Sequence, residues 1–198
     1  MVVGLTGKYC AGKDTVARIF ASKGFTIIDV DLLGHEALAG NAREVVAAFG
    51  PGVSVTGGGV DRRALGRVVF KDSAALARLE SIVHPAMVER VKSLVAQSEG
   101  NVVINAAILH RMGLHALCDA VVCVSSPFPL RLARAMVRDM LSFRDALARA
   151  RSQKDICPQL NDPAVDIYSV RNRGSARSLE RRVTRLVQRM QARGGCAV

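Results

Sequence analysis

Tryptophan is absent from this chain of 198 residues, and tyrosine occurs only twice. Proteins bind single-stranded nucleic acid largely by stacking its bases on aromatic side chains. This shortage therefore argues against a nucleic-acid partner, although the net charge is +11. No apolar run approaches the roughly 18–20 residues that span a membrane. We expect no nucleic-acid or membrane partner, because a small polyphosphate explains the arginine excess equally well.

The cysteines show no pairing pattern. Five are present, at positions 10, 118, 123, 157 and 196, and none forms a CxxC pair. The first apolar run is too short for a secretory signal, and lysines interrupt it. These features predict reduced thiols in a cytoplasmic protein. Internal repeats and low-complexity linkers are also missing, so we expect a single domain over residues 1–198, as a monomer or small homo-oligomer.

The start of the chain carries a phosphate-binding pattern. Residues 2–6 predict a strand, the sequence G-x-x-x-x-G-K follows from Gly7 to Lys13, and residues 16–20 suit a helix. The two glycines let successive backbone amides face one anion, and the helix N-terminus adds partial positive charge. Lys13 can then reach the β- and γ-phosphates of a nucleotide. The pattern normally continues with Ser or Thr as a Mg²⁺ ligand, but Asp14 occupies that position.

Further apolar segments alternate with helical patterns, which predicts a parallel sheet covered by helices on both faces. The strand candidates are residues 2–6, 25–29, 102–105, 120–124 and, as the weakest pattern, 167–170. Asp61 predicts the N-cap of a helix. Another helix runs from Ser73 to about Val83. There His84-Pro85 predicts a turn between two helices, because proline pushes the preceding residue to an extended conformation.

Two carboxylates follow the second predicted strand. Asp29 and Asp31 share one side as long as the chain stays extended, and ligands of doubly wound sheets bind beyond the carboxyl ends of strands. In a functional interpretation, one carboxylate accepts a proton from an attacking hydroxyl group or holds the metal ion. In the alternative interpretation, Asp31 only caps the following helix.

Residues 128–151 carry six arginines and two aspartates and are typical of a helical hairpin. Arg134 and Arg138 are four residues apart, so they share one helix face. Arginines on a closing lid stabilise the negative charge of a transferred phosphoryl group and exclude water. The alternative is an ordinary surface helix with solvated arginines.

Taken together, these motifs resemble the dephospho-CoA kinase family. The resemblance runs from about residue 2 to residue 190, and the order of its motifs is more specific than the phosphate loop alone. The matching segments are G-L-T-G at 4–7, I-D-V-D at 28–31, Phe49-Gly50, V-D-R-R-A-L-G at 60–66, V-F-K-D at 69–72, L-E-S-I-V-H-P at 79–85, Cys118-Asp119, R-x-x-x-R-D at 134–139, and Asn172 with Gly174-Ser175.

The resemblance implies a P-loop kinase: a parallel five-stranded sheet with helices on both faces, a helical acceptor-binding insertion near 55–95 and an arginine-rich lid near 128–152. It implies transfer of the γ-phosphoryl group of ATP, with Mg²⁺, to the ribose 3′-hydroxyl of dephospho-CoA, which is the last step of coenzyme A biosynthesis. The phosphate loop would hold the ATP phosphates through Cys10, Ala11, Gly12, Lys13, Asp14 and Thr15.

The resemblance assigns further roles residue by residue. Asp31 would be the base, Lys13 would neutralise the β/γ bridge, and Arg134 and Arg138 would close from the lid. Asn172 would lie beside the adenine. The acceptor pocket would be lined by Thr6, His84 and the helices around 61–92, with Arg62 among them.

Two departures from the family pattern bear on the function. The family usually carries P-L-L-F-E, with an acidic residue shortly before it, after the third core strand. This chain has Asn105 and Arg111 in place of the two acids. The other departure is Asp14, which we expect to replace the usual hydroxyl as a Mg²⁺ ligand, since carboxylate oxygen suits that ion. The alternatives are another nucleoside or nucleotide kinase and a catalytically degenerate protein that binds a coenzyme A precursor.

Overall fold

A computed structural model describes residues 1–152 and 165–194. Its strands are β1 (Val2–Gly7), β2 (Thr26–Asp29), β3 (Ser54–Val55), β4 (Gly59–Val60), β5 (Val102–Asn105), β6 (Ala120–Ser125) and β7 (Asp166–Arg171). Its helices are α1 (Lys13–Ala21), α2 (Val30–Gly40), α3 (Ala42–Phe49), α4 (Arg62–Val69), α5 (Ser73–Gln97), α6 (Phe128–Arg138), α7 (Phe143–Ser152) and α8 (Ala176–Gly194). No described helix is both long enough and apolar enough to cross a bilayer.

Five strands form one sheet in the order β2-β5-β1-β6-β7. Strand β1 pairs in parallel with β5 and β6, and β6 pairs in parallel with β7. This arrangement confirms the predicted parallel sheet, and all five strand candidates are found within two residues of their predicted ends. Parallel strands end at the same edge, so the loops after β1, β5, β6 and β7 share that edge.

The chain divides into two compact units. The first consists of residues 1–28 and 95–198, and the second of residues 29–94. The second unit overlaps the segment near 55–95 in which we expect the acceptor-binding insertion, but it begins at Asp29 and ends at Leu94.

The core of the first unit forms around β1, where Val3 and Leu5 have no exposed surface. They pack with Phe20 of α1 and Val183 of α8 in one apolar cluster. On the other face of β1, a Cβ added at Gly4 would lie 2.6 Å from the Leu109 side chain. Both faces of β1 are therefore covered, as expected for a central strand of a parallel sheet.

The second unit has its own smaller core. Val45 of α3, Val53, and Leu65 and Val69 of α4 form a buried cluster. Asp61 is the N-cap of α4, since its carboxylate accepts hydrogen bonds from the Arg63 and Ala64 amides. These amides, Ala64 first, lower the pKa of Asp61. The predicted cap is confirmed.

The turn predicted at His84-Pro85 is wrong. Helix α5 runs unbroken from Ser73 to Gln97, with Pro85 inside it. A proline within a helix removes one backbone hydrogen bond at a cost of about 3 kcal/mol. Burial of Val83, Met87 and Val91 along the same helix offsets this cost, because each buried apolar side chain contributes about 1.5–3 kcal/mol.

The cysteine prediction holds only in part. Cys10 and Cys118 are buried free thiols, and burial raises the pKa of Cys118 to about 12. Cys123 is disulfide-bonded, so the expectation of a reduced thiol is wrong there. Cys157 and Cys196 lie outside the described residues.

The predicted helical hairpin is confirmed as α6 and α7. Leu132 and Ala135 of α6 pack against Ala146 of α7, and the same apolar cluster includes Tyr9 and Cys10 of the loop after β1. The arginine-rich hairpin therefore packs directly on the predicted phosphate loop.

Candidate active site

The loop between β1 and α1 has the backbone of an anion-binding turn. Cys10 and Gly12 adopt left-handed conformations, with φ of 57° and 95°, and the Ala11 amide donates to the Lys8 carbonyl at 2.9 Å. Left-handed residues within such a turn direct successive amides to one side, which makes a concave site for an anion. Helix α1 begins at Lys13, so its N-terminus adds to this field.

Lys13 occupies the end of this loop, and only 11% of its side chain is exposed. Its Nζ donates to Oδ1 of Asn105 at 2.7 Å and lies 3.5 Å from Oδ1 of Asp14. Asn105 ends β5 and is itself 2% exposed. Lys13 is thus held by the neutral amide of Asn105 and by an ion pair with the Asp14 carboxylate at the start of α1.

Asp14 lies in the first turn of α1, and 67% of its side chain is exposed. The Thr15 hydroxyl, one residue further, accepts a hydrogen bond from Arg18 at 3.4 Å. The described residues contain no group of three or more His, Cys, Asp or Glu side chains able to hold a metal ion by themselves. One exposed carboxylate beside an anion-binding loop does suit Mg²⁺, which usually binds through one or two carboxylates plus substrate phosphates.

Arg134 and Asn172 donate hydrogen bonds to backbone carbonyls of this loop. Nη1 of Arg134 donates to the Cys10 and Ala11 carbonyls, both at 3.4 Å, and Nη2 donates to Oδ1 of Asn172 at 3.2 Å. Nδ2 of Asn172 donates to the Ala11 carbonyl at 2.9 Å. A Cβ at Gly12 would lie 2.3 Å from this Nδ2 atom, so glycine is required there for packing as well as for its positive φ. The two side chains hold the loop in its anion-binding shape.

Arg138 ends α6 and forms a bidentate pair with the adjacent Asp139. The Arg138 Nε and Nη2 atoms donate to the Asp139 carboxylate at 2.8 and 3.1 Å. Tyr9 also donates its hydroxyl to this carboxylate, and Nη1 of Arg149 lies 3.5 Å from it. The Arg138 hydrogen bonds are the main reason that the pKa of Asp139 falls to about 2.

Sequence analysis singled out neither Tyr9 nor the role of Asp139. Tyr9 occupies a variable position of the loop pattern, where no residue type is specified, so its identity alone carried no signal. The R-D pair at 138–139 is part of the family resemblance. An acidic residue next to Arg138 could have indicated an ion-pair partner for it.

Thr6 has no exposed surface, and its hydroxyl donates to the Ala107 carbonyl at 2.9 Å. It joins β1 to the segment after β5. The structure therefore shows a packing contact for Thr6, and its role in an acceptor pocket stays a prediction.

The second unit carries the other expected acceptor residues. The carboxylate of Asp29 caps α2 by accepting from the Asp31 and Leu32 amides. Helix α2 already begins at Val30, so the chain is not extended between Asp29 and Asp31. The expectation that an extended chain places both carboxylates on one side therefore does not apply. The capping interpretation therefore applies to Asp29, and Asp31 stands exposed in the first helical turn.

Arg62 lies on α4 beside a groove of about 420 Å³. The groove is lined by cationic side chains and one largely exposed aromatic ring, namely Arg62, Arg63, Arg67, Lys71 and Phe70, with Gly66 between them. Such a surface suits a ligand with both phosphate and apolar portions. His84 lies partly buried in the middle of α5.

Known proteins resemble this chain over most of its length. The family model of dephospho-CoA kinases matches residues 1–168. The dephospho-CoA kinase of Moorella thermoacetica is 42% identical over 160 residues, which is 77% of this chain and 76% of that protein. A crystal structure from Thermus thermophilus superposes with a TM-score of 0.79 at 30% identity, covering 96% of this chain and 97% of the other.

A dephospho-CoA kinase structure from Campylobacter jejuni superposes with a TM-score of 0.62 at 25% identity, covering 95% of this chain and 96% of that chain. The fold is thus that of P-loop kinases, for which ATP is the co-substrate. Both the match of the family model and the identity to its members extend over most of the chain, and so the chain belongs to the dephospho-CoA kinase family.

Proposed function

We propose that this protein transfers the γ-phosphoryl group of ATP to the ribose 3′-hydroxyl of dephospho-CoA and so produces coenzyme A. The observation that carries the proposal is the anion-binding loop after β1, with Lys13 held at its end, in a chain of this family. In the reaction a bond forms between the 3′-oxygen and the γ-phosphorus. The bond between that phosphorus and the β,γ-bridging oxygen breaks, and ADP leaves.

The loop residues Cys10 to Thr15 bind the phosphates of ATP in this proposal. Their amides and the N-terminus of α1 supply partial positive charge, and Lys13 meets the charge that develops on the β,γ-bridging oxygen. Arg134 and Asn172 act on the same phosphates indirectly, because their hydrogen bonds fix the loop carbonyls of Cys10 and Ala11. The site thereby has its donors in place before ATP arrives.

Asp14 is the residue that would hold Mg²⁺. Its carboxylate occupies the position of the usual hydroxyl ligand, at the start of α1. When bound with ATP, the ion neutralises charge on the β- and γ-phosphates. Asp14 would bind that complex and orient it against the loop.

Arg138 would stabilise the transferred phosphoryl group. It lies at the end of α6, in the hairpin that packs on the phosphate loop, and 55% of its side chain is exposed. Its guanidinium lies 5.2 Å from the centroid of the Tyr9 ring, so it is held beside the phosphate loop. A cation that meets this group mainly in the transition state raises kcat more than it lowers KM.

The second unit would supply the acceptor side. Asp31 would take the proton of the 3′-hydroxyl as general base, since it is exposed and relieved of the capping role by Asp29. The groove around Arg62 offers cations and the Phe70 ring, which suit the phosphate and apolar portions of dephospho-CoA. His84 of α5 would help to line the acceptor pocket.

A competition assay tests the proposal. The protein is incubated with ATP and Mg²⁺ and with equal amounts of dephospho-CoA, adenosine and AMP, and the products are separated and identified by mass. We expect coenzyme A as the main phosphorylated product, with the new phosphate on the 3′-oxygen. Phosphorylation of adenosine or AMP instead would identify a different nucleotide kinase, whereas binding of dephospho-CoA without any transfer would identify a degenerate binding protein.

A further inference from the structure

Tyr9 connects the phosphate loop to the arginine hairpin. It lies between Gly7 and Gly12, and its ring packs in the apolar cluster that holds Leu132, Ala135 and Ala146 of α6 and α7. Its hydroxyl leaves this cluster and donates to Oδ2 of Asp139, immediately after the end of α6. One side chain of the loop is therefore bonded to the segment that joins the two helices.

The same tyrosine also contacts Arg138 directly. The central carbon of the guanidinium lies 5.2 Å from the centroid of the Tyr9 ring, within the range of a cation–π interaction. Arg138 thus has two supports, the Asp139 carboxylate at its edge and the Tyr9 ring against its face. The Tyr9 hydroxyl bonds to the Asp139 carboxylate, and the Tyr9 ring itself contacts the guanidinium.

An ion pair between neighbouring surface residues is weak by itself. With 55% of the Arg138 side chain exposed, water screens its attraction to Asp139, and exposed pairs contribute only about 0–1 kcal/mol. Moreover, both partners belong to the hairpin, so their pairing alone does not fix the guanidinium relative to the loop. The Tyr9 hydroxyl supplies that link. Because this donor is neutral, it orders the pair without adding a charge that would compete with Arg138 for the phosphates.

We propose that Tyr9 is a positioning residue that sets the guanidinium of Arg138 relative to the phosphate loop by holding Asp139. The inference rests on the role proposed above for Arg138 in phosphoryl transfer. In this inference, the loop proposed to bind ATP also orders Arg138, the arginine proposed to act on the phosphoryl group of ATP. Removal of the Tyr9 hydroxyl leaves the ring and its packing in place but breaks the link between the loop and Asp139, which then keeps only its hairpin partners Arg138 and Arg149.

The experiment compares Tyr9→Phe in the natural protein and in an Arg138→Ala background. In the natural background we expect kcat to fall about 5–10-fold with the KM for ATP changed less than about twofold, the effect of losing a hydrogen bond to a charged group that matters in the transition state. In the Arg138→Ala background the same change should have almost no effect. Asp139→Asn, tested in both backgrounds, should give the same pattern.

The other tyrosine provides a matched control. The Tyr168 hydroxyl donates to Asp166 at 3.2 Å on β7, so Tyr168→Phe removes the same kind of hydrogen bond outside the site, and its kcat should equal that of the natural protein. Thermal melting of each variant shows that the fold persists.

An equal loss of kcat from Tyr9→Phe in both backgrounds would show that the hydroxyl acts without Arg138 and would overturn the inference. A normal kcat for Tyr9→Phe, together with a low kcat for Arg138→Ala, would also overturn it while leaving the proposed function intact. A normal kcat for Arg138→Ala alone would instead refute the proposed role of Arg138, and the inference with it.

Discussion

Nζ of Lys13 donates to Oδ1 of Asn105 at 2.7 Å, which joins the end of the phosphate loop to the end of β5 through a neutral acceptor. An ion pair with Asp14 at 3.5 Å orders the same ammonium group. We propose that this group, at the end of the phosphate loop, meets the phosphates of ATP.

Lys13→Ala should abolish turnover while binding of dephospho-CoA persists. The substitution removes the cation that meets the β- and γ-phosphates and leaves the second unit untouched. Phosphate transfer measures turnover, and calorimetry measures acceptor binding. Near-normal turnover in the alanine variant would mean that this loop is not the ATP site.

Asp31→Asn should lower kcat by roughly 10²–10⁴-fold, the usual contribution of a general acid or base. ATP affinity should change little, because the change removes a proton acceptor and preserves shape. Asp29→Ala is the control. It removes the cap of α2, so it should lower the melting temperature more than kcat. If Asp31→Asn leaves kcat unchanged and only weakens folding, Asp31 is structural.

The fold was predictable because strands and caps depend on local patterns. Val102–Asn105 is a run of β-branched and polar residues that appears as β5 with the predicted ends. Asp61 caps α4 because its side chain bonds to amides two and three residues further on, which is local geometry. Pro85 shows the limit. Its local effect is outweighed by tertiary packing of the long helix, which no local pattern encodes.

The candidate site was predictable in composition but not in contacts. The loop pattern identified Lys13, and helical spacing placed Arg134 and Arg138 on one face. Their partners depend on how α6 packs on the loop. Arg134 therefore bonds to carbonyls at positions 10 and 11, more than 120 residues away in the sequence, and Arg138 pairs with its own neighbour. Spacing along one helix contains no information about either partner.

Arg131→Met should raise the free energy of unfolding by about 1 kcal/mol. Arg131 is 7% exposed, and its Nε and Nη1 atoms are buried without a hydrogen-bond partner. Leaving a buried donor unsatisfied costs about 1–3 kcal/mol. The contact of its guanidinium with the Phe128 ring, at 5.4 Å, recovers only part of this cost. Burial also lowers the pKa of Arg131, in agreement with an unfavourable charge.

Urea unfolding measures the effect of Arg131→Met. Arg144→Met on the exposed face of α7 is its control and should change stability by less than about 0.5 kcal/mol. A loss of stability in Arg131→Met would show that the buried guanidinium is stabilising in its site.

The Asp139 carboxylate should stabilise the protein above about pH 4, and its contribution should disappear as the pH falls toward 2. Its pKa is lowered to about 2 from the ordinary value of 3.8, chiefly by the Arg138 hydrogen bonds. A depressed pKa means that the folded state favours the ionised form, so protonation on acidification removes the stabilisation. Asp139→Asn should therefore unfold at a lower temperature at pH 6, and its melting temperature should converge with that of the natural protein near pH 2. A difference that persists unchanged at pH 2 would contradict an ionic origin.

Asp14 should make turnover depend more steeply on free Mg²⁺ than in an Asp14→Ser variant, and it should weaken ATP binding in the absence of metal. The carboxylate lies in the first turn of α1 and only 3.5 Å from the Lys13 ammonium, so it shares the space in which the β- and γ-phosphates are expected. Without Mg²⁺ its charge should repel the phosphates, and with Mg²⁺ it should become a ligand. Thr15 is about 100° further round the helix and does not replace it.

Titration of ATP affinity with and without Mg²⁺, in the natural protein, Asp14→Ser and the uncharged isostere Asp14→Asn, separates charge from shape. The asparagine variant should bind metal-free ATP as well as the serine variant does, because only the charge causes the repulsion. It should also bind the Mg²⁺ complex less tightly than the natural protein, because an amide is a weaker ligand than a carboxylate. If all three proteins give the same two affinities, the Asp14 carboxylate is not at the metal, and the irregular loop then needs another explanation for holding a magnesium nucleotide.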